Sequence, residues 1–377
     1  MTPSRWLFLT GAATAAATSM LAAETHPVVR GFAVLLPLLL VRQWRAGLRG
    51  VFVVICIFAG LGLRVHLAPT VLPVPPQVRV IEEVRQGFLD RLIAAMPERQ
   101  ARLGAGMLLG DVSEPAPDLV KTFRRAGINH LLAVSGGNLA VVLTFISVVA
   151  AARRSRTANV ITVLAVAPAF CLLTNAEPSI LRASVMAMTV AIVRRCGRSA
   201  QPVNALVAAG TVLLWVWPGL LWQSVGFQLS LSATFGLVAF GAPLEVALAR
   251  RLPKAVASVA GATLGATFAT TPVALLTFGQ VSLVGPFTNL VVVPLVPVVM
   301  ALIGLVAGTS LLLPPVAPVV GVSAWAVLLV IEKVTATAAH LPAASVLLSP
   351  LVGTAAALAL AIFLGYIFRR HVRVAFS

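Results

Sequence analysis

The chain has 377 residues, 59% of them hydrophobic and only 10% charged, with a mean hydropathy of +1.00. Too few polar side chains are present to coat a soluble globule of that length, so the composition excludes a soluble fold and indicates a polytopic membrane protein. A net charge of +17 and a pI near 11.8 suggest an anionic partner or an anionic lipid leaflet, depending on where the charges lie.

Apolar runs of about 17 to 25 residues are long enough to cross a bilayer core. Twelve candidates occur in order at 6–23, 27–41, 51–67, 128–152, 158–174, 178–193, 203–220, 223–242, 255–278, 283–309, 316–338 and 344–368. The second and sixth are short enough to be re-entrant, and the first also reads as a signal peptide, with Arg5 before it and Ala22-Ala23 near its end. Short cytoplasmic loops are enriched in Lys and Arg. Threading the runs with the N-terminus inside puts Arg5, Arg42, Arg45, Arg49, Arg153, Arg154, Arg156, Arg194, Arg195, Arg198, Arg250, Arg251, Lys254, Arg369, Arg370 and Arg373 on one side, which is 16 of 28 basic residues. The opposite short loops carry only Arg30. Both termini are therefore expected in the cytoplasm of a multi-pass plasma-membrane protein, and orientation explains most of the positive charge.

The expected fold is all-α, a transmembrane helix bundle with broken or re-entrant helices and a short external amphipathic segment. It divides into N-terminal spans over 1–67, the external segment over 68–126, the main bundle over 127–368 and a basic cytoplasmic tail over 369–377. The external segment opens on a stiff Pro-rich linker, PTVLPVPPQ. After it, Val80, Val84, Phe88, Leu89, Leu92 and Ile93 recur at helical spacing opposite Glu82, Glu83, Arg85 and Asp90. A second helix is predicted from Pro117 or Asp118, carrying Leu119, Phe123 and the Arg124-Arg125 pair. Such helices lie flat on a membrane or pack on the spans.

The polar break Ser135-Gly136-Gly137-Asn138 interrupts an otherwise apolar stretch, and in lipid such a break is tolerated only when packed in protein or facing water. Helix kinking is the simpler explanation, because Gly is common in membrane helices. Asn289, between Pro286 and Pro294, predicts a second broken helix. Glu177 and Arg182 are spaced for a local ion pair, and Gln228 shares a helical face with Ser232 and Phe235. Glu245 and the Glu332-Lys333 pair read as boundary or locally paired charges.

HLLAVSGGNLAVV, preceded by LLGD and FRRAG and followed by SILRASVMA, WQSVGFQLSLSATFG and GPFTNLVVVPL, resembles the signature of the ComEC-type competence family. The resemblance covers about residues 90 to 365 and implies an inner-membrane channel for single-stranded DNA during transformation. Many relatives have a His where this chain has Asn138. Fuller members carry an external OB-like domain and a metallo-β-lactamase-like nuclease domain, neither of which this sequence is expected to contain. Its five histidines form no HxHxDH cluster, its scattered Cys56, Cys171 and Cys196 give no metal spacing or disulfide framework, and it has no GxxxxGK[ST] loop.

The sequence thus predicts a non-enzymatic channel component without cofactor or metal. Arg124, Arg125 and His130 are candidates for the outer mouth, and Ser135, Gly136, Gly137, Asn138, Arg182, Gln228 and Asn289 for the DNA path. A nucleophile made of Ser135 and His130 is disfavoured, since five residues apart on a helix they lie off a common face and no acid orients the histidine. Implied partners are single-stranded DNA, membrane lipids, a separate DNA receptor, nuclease and cytoplasmic ATPase, and a second copy in a homodimer. The alternatives are a secondary transporter of a small anion or lipid-linked precursor and a non-transporting assembly subunit.

Overall fold

The computed structural model describes residues 79–110, 116–149, 156–217 and 219–349, with parts of 351–363. The three N-terminal runs, Asp111 and the basic tail lie outside the described residues. The chain divides into two compact units, one containing 151–171 and 176–231, the other 77–150, 172–175 and 232–377.

In the second unit, α1 (Arg79–Ala95), α2 (Glu98–Leu109) and α3 (Pro117–Arg125) precede a single 3-10 turn, Asn129–Leu131, and α4 (Gly136–Val149). Neither α1 nor α2 is isolated on a surface. Both pack on α13 (Leu295–Leu312) and α14 (Ala317–His340), and α3 packs on α14. One apolar core holds Leu89, Leu92, Leu103, Phe123, Ile303 and Leu328. The buried face of α1 is rotated from the expected one: Arg85 is 1% exposed beside Leu89 and Leu92, whereas Val80 and Val84 are 64% and 51% exposed. The helix expected from Pro117 or Asp118 starts at Pro117, with Ala116 as its N-cap.

In the first unit, α5 (Arg156–Leu173) is followed by α6 (Pro178–Arg195), α7 (Pro202–Val216) and the short α8 (Leu220–Gln223). Leu213, Leu214, Leu220 and Phe227 form its small apolar core. The next helix, α9 (Val225–Gly236), begins here with Ser224 Oγ accepting from the Phe227 amide at 3.1 Å, a side-chain N-cap.

The rest of the second unit follows in order. A π-helical segment, Leu237–Gly241, joins α9 to α10 (Ala242–Leu248), which packs on α11 (Lys254–Phe278). Glycines allow the helices to touch: Gly236 faces the Gly265 carbonyl, and a Cβ on Gly261 would stand 2.7 Å from the Glu245 amide. The predicted run 283–309 is two helices, α12 (Gly285–Val292) and α13, with the break at Val293-Pro294, as the prolines around Asn289 foretold. The final run does not begin as a helix. Its residues Ser345–Leu347 form β2, antiparallel to β1 (Gln280–Ser282).

Four helical stretches are long and apolar enough to cross a membrane: Val225–Leu248, Lys254–Phe278, Leu295–Leu312 and Pro314–His340. Shorter apolar helices cover Gly136–Ser147, Thr157–Leu173 and Pro202–Val216. The architecture is that of an all-α membrane bundle with one two-stranded ribbon among the described residues.

Candidate functional site

The motifs of the second unit meet one another. After the 3-10 turn the backbone extends through Val134 and Ser135, and α4 starts at Gly136. The Asn138 side chain closes that corner: its Nδ2 donates to the Met107 carbonyl of α2, and its Oδ1 accepts from Ser135 Oγ at 2.8 Å. Asn138 is 5% exposed. Its amide joins the SGGN break to α2. Gly110, at φ +81, completes the contact, because a Cβ there would stand 2.7 Å from Val134 Cγ2.

A second junction joins FRRAG to GPFTN. Gly127 has φ +76, and a Cβ on it would lie 2.6 Å from Gly285 Cα, so both space and backbone conformation require glycine. Ser282 holds the junction. Its Oγ lies 2.9 Å from the Arg125 carbonyl and 3.1 Å from the Ala344 carbonyl, and accepts from the Gly285 amide at 3.1 Å. Nothing in the composition around Ser282 marks it, since its three partners are backbone groups spread over the sequence.

Arg124, Arg125 and His130 are exposed, Ser135 and Gly136 half-buried and Gly137 exposed. The first turn of α4 is thus open at Gly136-Gly137 while its base is pinned by Asn138. Asn289 is buried on α12, and its Oδ1 has no hydrogen-bond partner among the described residues.

Arg182 and Gln228 belong to the first unit. Arg182 is 6% exposed, yet the expected pair with Glu177 does not form: Nε donates to Ser230 Oγ at 2.9 Å and Nη1 lies 3.1 Å from Met186 Sδ. The helix start at Pro178 leaves Glu177 in the N-cap position, turned toward Gly226 and away from the guanidinium. Gln228 donates to the Leu221 carbonyl at 2.6 Å and so caps α8. Nothing in the sequence singles out Ser230, because the FQLSLS string offers two serines and no rule for choosing between them.

Two further polar clusters surfaced. Glu332 pairs not with Lys333 but with α2, accepting from Gln100 Nε2 at 3.1 Å and lying 3.4 Å from Arg99 Nε. Arg99 also bonds Asp118 at 3.2 Å, and that hydrogen bond holds the Asp118 carboxyl below its ordinary range. In the first unit, a cavity of about 400 Å³ is bordered by Asn159, Arg194, Arg195, Arg198 and Ser199 at the C-terminal end of α6. Among the described residues no group of three or more His, Cys, Asp or Glu is placed to hold a metal ion.

A family model described as Competence protein matches residues 107–373. ComE operon protein 3 of Bacillus subtilis (strain 168) is 28% identical over 235 residues, covering 61% of this chain and 29% of that protein. The chain thus spans less than a third of that relative's length within the match. No solved structure matches the chain. The matched region holds SGGN and all the motifs after it, together with FRRAG and LLGD, and by that match the chain belongs to the competence protein family.

Proposed function

We propose that this chain is a membrane channel component for uptake of single-stranded DNA across the cytoplasmic membrane. The observation that carries the reading beyond family membership is Arg182. Arg182 stands in the second turn of α6, at one end of the expected run 178–193, and ionisable residues in such runs mark substrate and ion pathways. Arg182 is held by a hydroxyl and a thioether, with no carboxylate neutralising it among the described residues. The guanidinium is buried with Nε and Nη1 engaged, so it acts through its uncompensated charge, whose positive potential suits a polyanionic strand, and not through direct phosphate contact. The open first turn of α4 adds backbone N–H groups at a helix start, with Arg124, Arg125 and His130 at its approach.

In this reading the polypeptide does no bond chemistry of its own. A receptor delivers the strand, a separate nuclease cuts it, a cytoplasmic ATPase draws it in, and a second copy completes the assembly. Both termini lie in the cytoplasm. The arginine pattern assigns Arg125, Ser282 and Ala344 to loops of one side, and their convergence at Ser282 supports grouping those loops together.

The test is transformation scored in cells lacking the gene and complemented with variants at matched protein levels. Deletion is expected to abolish uptake, Arg182→Ala to reduce it at least tenfold, and Arg182→Lys to retain part of it. Normal uptake after deletion removes the reading and shifts weight to transport of a small anion or lipid-linked precursor. That second reading is favoured by the α12–α13 break at Val293-Pro294, beside buried Asn289, the kind of interrupted helix that forms transporter sites.

A further inference from the structure

We infer that the polar face of the α1–α2 hairpin stands in water at mid-bilayer depth, lining an aqueous vestibule within the second unit. The level of the hairpin is fixed by what it touches. A Cβ on Gly104 of α2 would stand 2.7 Å from Ile303 Cδ1 and 3.4 Å from Leu328 Cδ1. Ile303 is at the middle of α13, Leu295–Leu312, and Leu328 at the middle of α14, Ala317–His340. Both helices belong to stretches long and apolar enough to span, Leu295–Leu312 and Pro314–His340. A residue packed on the centre of two spanning helices is near the centre of the bilayer, whichever way they run.

Further contacts bracket that level. Gly321 of α14 meets the Ala95 carbonyl at the end of α1, and Glu332 of α14 bonds Gln100. At ~1.5 Å per residue these lie within about 11 Å of Leu328 along α14, inside a hydrocarbon core whose half-thickness is about 15 Å. The charged side chains at this level are not hidden. Glu98 is 60% exposed and Arg102 40%, joined to each other at 2.7 Å, while Arg99 is 49% and Asp118 64% exposed. Exposed ionised groups in acyl chains are excluded by their solvation cost, so the face that carries them is wetted.

The opposite surfaces of the same spans have the character that lipid demands. Leu305 on α13 and Val330 on α14 are 48% and 49% exposed. At one depth, the second unit therefore presents an oily side and a charged side. The vestibule takes hydrated polar solutes, and its mixed charge, with Glu98 and Asp118 beside Arg99 and Arg102, sets no preference for anions. It follows from packing and desolvation alone and deepens the channel reading without needing DNA to be the solute.

Spin labels test it in the full chain, reconstituted in bilayers, with Cys56, Cys171 and Cys196 replaced by serine. Labels at Glu98→Cys and Asp90→Cys are expected to collide several-fold more with aqueous nickel-EDDA than with oxygen. Labels at Val330→Cys and Leu305→Cys are expected to show the reverse, with a depth near the bilayer centre. Oxygen-dominated collisions at Glu98, or nickel-dominated collisions at Val330, overturn the inference, the first by placing the hairpin in lipid and the second by placing the whole level outside the membrane. Loss of DNA uptake as the function, with this collision pattern intact, removes the solute and leaves the vestibule.

Discussion

Replacing Asn138 with alanine removes both ends of the link between the SGGN corner and Met107, leaving a buried carbonyl without its donor. That is expected to lower stability by about 1–3 kcal/mol, read as a lower unfolding temperature in detergent. Asn138→Asp keeps the acceptor for Ser135 but has no NH₂ for Met107, so it is expected to be no better than alanine; full recovery of stability by aspartate contradicts the assignment. The Arg99–Asp118 contact carries a pH dependence whose sign is fixed. Because the carboxyl is held below its ordinary value, the contact stabilises at pH above the unfolded carboxylate range and is lost as pH falls through the lowered folded value. Protection factors of the amides at the start of α3, taken relative to intrinsic exchange at each pH, should therefore fall on acidification, and Asp118→Asn should abolish that acid-dependent part.

Between helices, glycine sets the spacing. Gly127→Ala places a methyl where Gly285 Cα and Ser282 now sit and forces a positive φ on an L side chain, so a loss of about 2 kcal/mol or more is expected, or failure to accumulate in the membrane. Gly106→Ala is the matched control, since a Cβ there meets nothing within 4 Å. Equal behaviour of the two variants would refute the close approach. Much of this level was legible in the sequence. Apolar length located α11 almost to the residue, at 255–278 expected against Lys254–Phe278 found, and prolines announced the α12–α13 break. Other features were not legible for physical reasons. Arg85 was assigned to the polar face because a lone arginine is normally solvated, and only tertiary packing turns it inward. Helix α2 was missed because its charged first turn and its glycines resemble a linker. The partners of Asn138, Arg182 and Glu332 are distant residues or backbone carbonyls, which no local spacing reports.

Across the whole chain, the arginine clusters make a prediction that does not depend on the solute. Cys196 is exposed at the basic end of α6, whereas Cys171 is buried. With Cys56 replaced by serine, an impermeant maleimide is expected to label Cys196 in inside-out vesicles and not in right-side-out ones. Labelling from the outside would reverse the assigned orientation. If DNA phosphates are the main contacts, purified protein should also bind single strands without sequence preference, with affinity falling steeply as salt rises.

The β1–β2 ribbon bears on how the protein is made. Strand β1 ends at Ser282, and its partner begins only at Ser345, with α12, α13 and α14 between them. During synthesis the Gln280–Ser282 edge therefore emerges well before the segment that covers it, and two spanning helices, α13 and α14, must enter the membrane while it waits. Ser282, which also lies against the Ala344 carbonyl, gains that neighbour at the same late moment. A ribosome that stops short of residue 345 leaves an open β edge beside an unfinished junction, a state that quality-control proteases are suited to remove.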